Sequence, residues 1–277
     1  MTVTDAHHHV WNLSVRDQTW ITGPELLPLR RDFTLGDLEP EARAAGVGRT
    51  VVVQTVTVPE ETPELLALAE EHDLVAGVVG WTDLTRPGVA GELARLRELP
   101  GGRYLKGVRH QVQGEPDPEW LLRPDVLRGL AAVAAAGLVY DLVVLPHQLP
   151  ACARAAAALP GLTFVLDHLG KPPVASGALE PWASGLRALA ALPNTVAKLS
   201  GLATEADPAR WTVDDLRPYA DTALEAFGPA RLMYGSDWPV STRAGTYGGI
   251  LDAMRRLTGP RDRAQVFETT AARVYGL

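Results

Sequence analysis

The chain has 277 residues, 46% of them apolar and 21% charged, which suits one globular domain with a large core. Its formal charge is −7, with Lys and Arg dispersed among Asp and Glu, so no basic block exists to neutralise a run of phosphates and nucleic acid is not an expected partner. The single cysteine, Cys152, excludes an internal disulfide and a Cys-rich metal site.

Short β-branched runs alternate with Ala/Leu/Glu-rich segments of helical period. Eight runs read as strands: 3–9, 50–56, 75–81, 104–110, 138–145, 163–168, 195–200 and 231–236. Thr62-Pro63 reads as an N-cap and first-turn pair, Gly46 and Gly137 as helix stops, and Val213–Phe227 as a helix stopped by Gly228-Pro229. Strand–helix alternation predicts a parallel sheet, and eight such units in this length predict a single-domain (β/α)₈ barrel over residues 1–277. An open doubly wound sheet is the rival, but neither glycine-rich phosphate-loop pattern occurs. The segment 11–32 follows the first strand and is predicted to fold over the mouth of the barrel.

No basic segment followed by an apolar run opens the chain. The apolar stretches at 130–140 and 153–159 are too short or too interrupted to span a bilayer. The expectation is a cytoplasmic protein without a membrane partner. No apolar stripe is surplus to a barrel core, so homo-oligomer formation is left open.

The polar residues fall at particular places. Asp5, His7 and His9 alternate along the first strand, which predicts that they share one face while Ala6 and His8 share the other. His110 closes the fourth strand, His147 follows the fifth, His168 closes the sixth and Asp237 follows the eighth. Barrel enzymes keep their sites at the C-terminal ends of the strands, so these residues are predicted to converge there. Paired imidazoles suit a metal ion or a hydrogen-bonded polar cluster. A partly desolvated Asp237, flanked by Trp238 and Pro239, is predicted to have a raised pKa and to take a proton from water. Trp81, ending the third strand, is a candidate to stack on a substrate ring; a plain core role is the alternative.

These motifs resemble the amidohydrolase superfamily, in particular its sugar-lactone and dicarboxylate-lactone hydrolases. "DAHHHVW" is similar to the opening D-x-H-x-H-x-W of that branch; "GVRH", "PHQLP", "DHLGKPP", "KLSGL" and "YGSDWPV" follow in the same order, and "ARVYGL" resembles its C-terminal helix. The resemblance implies a distorted (β/α)₈ barrel that opens a sugar-acid lactone, with carbohydrate catabolism as its setting. It implies catalytic roles for His7, His9, His168 and Asp237, with Arg109 and Lys171 at positions that contact substrate. His110, and with it His147, joins the expected substrate contacts. A single Zn²⁺ on His7, His9 and Asp237, with His147 as a further ligand, is one expectation; a metal-independent site held by hydrogen bonds is the other. Lys106 sits too early on its strand to serve as a carboxylated lysine, which argues against a binuclear centre. The alternatives are a metal-dependent decarboxylase of an aromatic or unsaturated acid, and a barrel that binds a sugar acid without turning it over.

Overall fold

The computed structural model describes residues 2–277. Eight parallel strands form one sheet in sequential order. They are β1 (Val3–His8), β2 (Val47–Val53), β3 (Val75–Gly80), β4 (Leu105–His110), β5 (Val139–Leu142), β6 (Phe164–Leu166), β7 (Thr195–Leu199) and β8 (Leu232–Tyr234). The first six crossovers contain α1 (Leu35–Ala44), α2 (Glu61–Glu71), α3 (Val89–Glu98), α4 (Pro124–Ala135), α5 (Leu149–Ala158) and α6 (Trp182–Ala190). The seventh contains both α7 (Leu202–Glu205) and α8 (Val213–Phe227), and α9 (Tyr247–Leu257) and α10 (Thr270–Tyr275) follow β8. This is the single-domain (β/α)₈ barrel that the alternation predicts.

All eight expected strands are present, but most are shorter than the apolar runs. The run at 138–145 pairs only over Val139–Leu142, because the residues beyond leave the ladder to build the mouth. Gly46, Gly137 and Gly228 stand just past the ends of α1, α4 and α8 as expected. The Thr62 cap does not form. Helix α2 begins at Glu61, and the Thr62 hydroxyl instead donates to the Trp81 carbonyl and accepts the Trp81 N–H.

Inside the barrel lies a compact apolar layer of Ala6, Val51, Val53, Val79, Val165 and Met233 with their neighbours, closed from below by Ala271 and Tyr275 of α10. Each valine or methionine fully buried there contributes about 1.5–3 kcal/mol. A larger apolar shell joins the outer faces of the strands to the helices. Among the described residues no helix is long and apolar enough to cross a membrane.

The sheet closes between its first and last strands just above this layer. His8 forms a parallel bridge with Trp238, the Asp237 amide donates to the His7 carbonyl at 2.8 Å, and the His9 amide donates to the Trp238 carbonyl at 2.7 Å.

Candidate active site

The first strand does not keep strict alternation. Its register against β2 slips between Asp5 and His8, so Asp5 pairs with Thr50 while His8 pairs with Val52. Three steps on one strand against two on the other form a bulge. Ala6 therefore packs in the interior with the core valines, and His7 and His9 still reach the mouth. Asp5 does not join them. It accepts the amides of His7 and Ser236 and the hydroxyl of Tyr247, and so braces the closing seam. His8 lies opposite, with its Nε2 on the Thr50 hydroxyl at 3.0 Å.

Above the apolar layer, His7, His9, His168 and Asp237 come together. One oxygen of Asp237, Oδ1, lies 3.9 Å from His7 Nε2, 3.6 Å from His9 Nε2 and 3.7 Å from His168 Nε2. His7 and His9 oppose their Nε2 atoms at 3.1 Å. All four residues are at most 5% exposed. Each imidazole is fixed through its other nitrogen: His9 Nδ1 on the Val53 carbonyl at 2.7 Å, His168 Nδ1 on the Ser200 hydroxyl at 2.9 Å, and His7 Nδ1 beside Lys198 and Asp167.

The backbone is bent to achieve this. His168, Leu169, Lys171 and Asp237 are the only non-glycine residues with positive φ among those described, at 53°, 52°, 54° and 57°. Such conformations cost of order 1–3 kcal/mol each and persist where the surroundings over-determine them. Two glycines make room for the imidazoles. A Cβ on Gly201 would stand 2.8 Å from the His168 Cβ, and one on Gly235 would stand 2.7 Å from the His7 Cβ.

The donor set fits a metal ion. Ligand atoms of His7, His168 and Asp237 lie within 4.8 Å of one another, and His9 adds its Nε2 to the same carboxylate oxygen. A tetrahedral zinc with bonds of about 2.0–2.2 Å separates its ligand atoms by roughly 3.3–3.6 Å. The distances above bracket that spacing, and the second nitrogens are engaged as a metal site requires. His168 takes the place expected for His147. The latter is exposed on the turn after β5, where its neighbour Gln148 turns inward instead to hold the Leu145 amide and the Val112 carbonyl.

Beside the cluster is a small cavity of about 100 Å³. His9, His168, Asp237, Arg109 and Lys171 line it, together with Trp20, Thr55, Gln111, Gln113, Val143 and Val240. Trp20 brings the 11–32 segment to the mouth, whereas Trp81 does not line this cavity. Trp81 and His110 lie elsewhere. The Trp81 indole donates to His110 Nδ1 at 3.0 Å, His110 Nε2 meets Glu115 at 2.7 Å, and Trp120 stacks on the imidazole at 4.2 Å. The alternation along β4 that turns Arg109 inward turns His110 outward.

The electrostatics revise one expectation. Burial raises the Asp237 carboxyl, but His168, His9 and Lys171 outweigh it and hold the group below its ordinary value. Burial drives His168 down to about 4 and His7 well below the usual imidazole range. At neutral pH the site therefore holds an ionised carboxylate facing neutral His7 and His168.

Beneath the cluster lie three residues that motif reading passed over. Lys198 on β7 is fully buried and pairs with Asp141 at 2.5 Å and Asp167 at 3.0 Å. Arg109 pairs with the far oxygen of Asp167 at 3.0 Å. Burial would raise Asp167, but Lys198, His7 and Arg109 hold it well below the carboxylate range. The signal was present: Lys198 in T-V-A-K-L and Asp141 in V-Y-D-L are lone charges in otherwise apolar strands. Lys106, set aside on sequence, hydrogen-bonds the Gly276 carbonyl at the opposite end of the barrel.

A family model described as Amidohydrolase matches residues 4–277. An L-fucono-1,5-lactonase of Burkholderia ambifaria is 41% identical over 281 residues, spanning 98% of this chain and 94% of that protein. The crystal structure of an amidohydrolase from Burkholderia multivorans with bound zinc is 38% identical, superposes with a TM-score of 0.93 and covers 100% of both chains. A 5-carboxyvanillate decarboxylase from Novosphingobium aromaticivorans has a TM-score of 0.70 at 14% identity, covering 100% of this chain and 96% of that one, and shares the fold alone.

Proposed function

The chain belongs to the amidohydrolase family, and on that footing we propose that it is a lactonase, hydrolysing a sugar-acid lactone to the free aldonic acid with Asp237 activating the water. The observation that carries this reading is the approach of one Asp237 oxygen to three imidazole nitrogens, at 3.6–3.9 Å, on the wall of a cavity at the barrel mouth. The relative named for L-fucono-1,5-lactone makes that compound the first substrate to test. The polar lining of Thr55, Gln111 and Gln113, with Trp20 at the rim, suits a hydroxylated ring.

Hydrolysis needs a base, a polarised carbonyl and a proton for the leaving alkoxide. Asp237, held in its ionised form, takes the proton from water as that water attacks the lactone carbonyl. The same proton then passes to the ring oxygen as the acyl–oxygen bond breaks. His9 Nδ1 is engaged by the Val53 carbonyl, which turns its Nε2 toward Asp237. Lys171, whose charge reaches Asp237 and whose side chain lines the cavity, is the donor suited to the developing oxyanion. Arg109 lines the same cavity, its guanidinium fixed by Asp167 and by the Gln54 carbonyl. His7, His9, His168 and Asp237 would hold a divalent ion, which when bound supplies Lewis-acid polarisation of the carbonyl.

A pH-indicator screen of aldonolactones, with and without added zinc, tests the proposal. Acid release supports it. Release of CO₂ from an aromatic acid would instead support a decarboxylase, and tight lactone binding without turnover would support a binding protein.

A further inference from the structure

The chain that leaves β4 keeps presenting alternate side chains to the barrel mouth. Arg109, Gln111 and Gln113 line the cavity beside the cluster, while His110 turns outward and Val112 is buried in the apolar shell. Contacts on three consecutive residues fix this turn. Gln111 Nε2 donates to the Thr55 carbonyl at 2.5 Å, the Val112 carbonyl accepts Gln148 Nε2 at 2.9 Å, and the Gln113 amide donates to the Val143 carbonyl at 3.0 Å. The turn is thereby tied to the loops that follow β2 and β5.

One polar atom on this turn serves no contact within the fold. Gln113 Oε1 is buried and meets no hydrogen-bond donor among the described residues. An unpaired buried acceptor destabilises a protein, and native structures pair the great majority of such groups. The neighbouring glutamines show the contrast: Gln54, Gln111 and Gln148 each bond a backbone or side-chain group through the terminal amide. An apolar side chain of the same length would occupy the place of Gln113 without that penalty. A group that weakens the fold and lines a site is expected where its missing partner is the ligand.

We propose that Gln113 is a specificity-determining residue, its Oε1 accepting a hydrogen bond from one ring hydroxyl of the substrate. The class it selects is a lactone with a free hydroxyl at that place, against the analogue that carries hydrogen there. A hydroxyl brings the proton that Oε1 needs, whereas a C–H leaves the acceptor unpaired in the complex. Gln113 takes no part in proton transfer, which stays with Asp237. The choice of probe rests on reading the chain as a lactonase; the recognition itself needs only that a hydroxylated ring enters the cavity.

The test compares hydrolysis of L-fucono-1,5-lactone with that of its analogues lacking one ring hydroxyl each, in the native protein and in Gln113→Met. In the native protein one analogue is expected to lose about 3–10-fold or more in kcat/KM against the parent lactone. Gln113→Met is expected to lose a similar factor on the parent and nothing further on that analogue. Its melting temperature is expected to equal or exceed the native one, because no bond within the fold is removed. A native kcat/KM indifferent to every hydroxyl overturns the inference. So does a variant that loses nothing on the parent, or one that falls by the same factor on the parent and on every analogue, which marks a structural defect. Should Gln113→Met fail to fold, Gln113→Leu takes its place in the same comparison. If the native protein opens no lactone, the functional proposal fails, and calorimetric binding of the corresponding acids to the same two proteins decides this inference separately.

Discussion

The Asp237 amide donates to the His7 carbonyl at 2.8 Å, so the hydrogen bond that closes the barrel also sets the candidate base against the first imidazole. The seam and the site are one piece of structure. Asp5 reinforces it from the other side through the Ser236 amide and the Tyr247 hydroxyl. A change that loosens the seam should therefore damage catalysis more than stability.

Gly235→Ala probes this. The added methyl would lie 2.7 Å from the His7 Cβ, so the strand or the imidazole must shift. A displacement of this kind is expected to lower kcat/KM about 10²-fold and stability by about 1–3 kcal/mol. Gly114→Ala, with nothing within 4 Å of its new methyl, is the neutral control. Steady-state kinetics and thermal melts on both variants check the contrast.

The pH profile of kcat/KM should be flat through neutrality and fall only in acid. Asp237 stays ionised above a pKa that lies below the ordinary carboxylate value, and His168 stays neutral above about 4. Lowering the pH from about 7 to about 5 protonates neither group. The acid limb is expected near pH 4 or below, and a limb centred at pH 6–7 would contradict the assignment.

Stability should depend on pH for a separate reason. His8 is buried and neutral, with its pKa pushed down to about 3 by burial, against 6.5 when unfolded. Between those values the unfolded chain binds the extra proton, so stability is full above about pH 6.5 and is lost as the pH falls. At 1.36 kcal/mol per unit, His8 alone costs about 2 kcal/mol at pH 5. Urea titrations should show this slope in the native protein and a shallower one in His8→Asn.

Removal of metal should be reversible and costly. Dialysis against a strong chelator is expected to abolish turnover, and stoichiometric zinc to restore it, because the four converging ligand atoms match zinc spacing. An unchanged kcat after chelation would show that the hydrogen-bonded cluster works without an ion.

Much of this was legible in the residues. Strand–helix alternation gave the barrel, and polar residues at strand ends gave the mouth. The errors have physical causes. Period-2 reading put Asp5 with His7 and His9, but a bulge in β1 separates them. It also placed His110 in the site, although an inward Arg109 requires an outward His110. His147 and Trp81 follow strand ends too, but where a loop turns depends on packing that no local pattern carries. Lys198 went unread because its partners, Asp141 and Asp167, stand on other strands. The raised pKa expected of Asp237 considered burial and left out the neighbouring imidazoles and Lys171.

The most direct test is the rate of lactone opening by Asp237→Asn beside the native protein. Asparagine is nearly isosteric and tolerates the left-handed backbone that this position adopts at φ 57°, so the fold should survive and near-UV circular dichroism should be unchanged. The prediction is a fall in kcat of about 10²–10⁴ or more. A folded variant that opens the lactone as fast as the native enzyme would contradict the account.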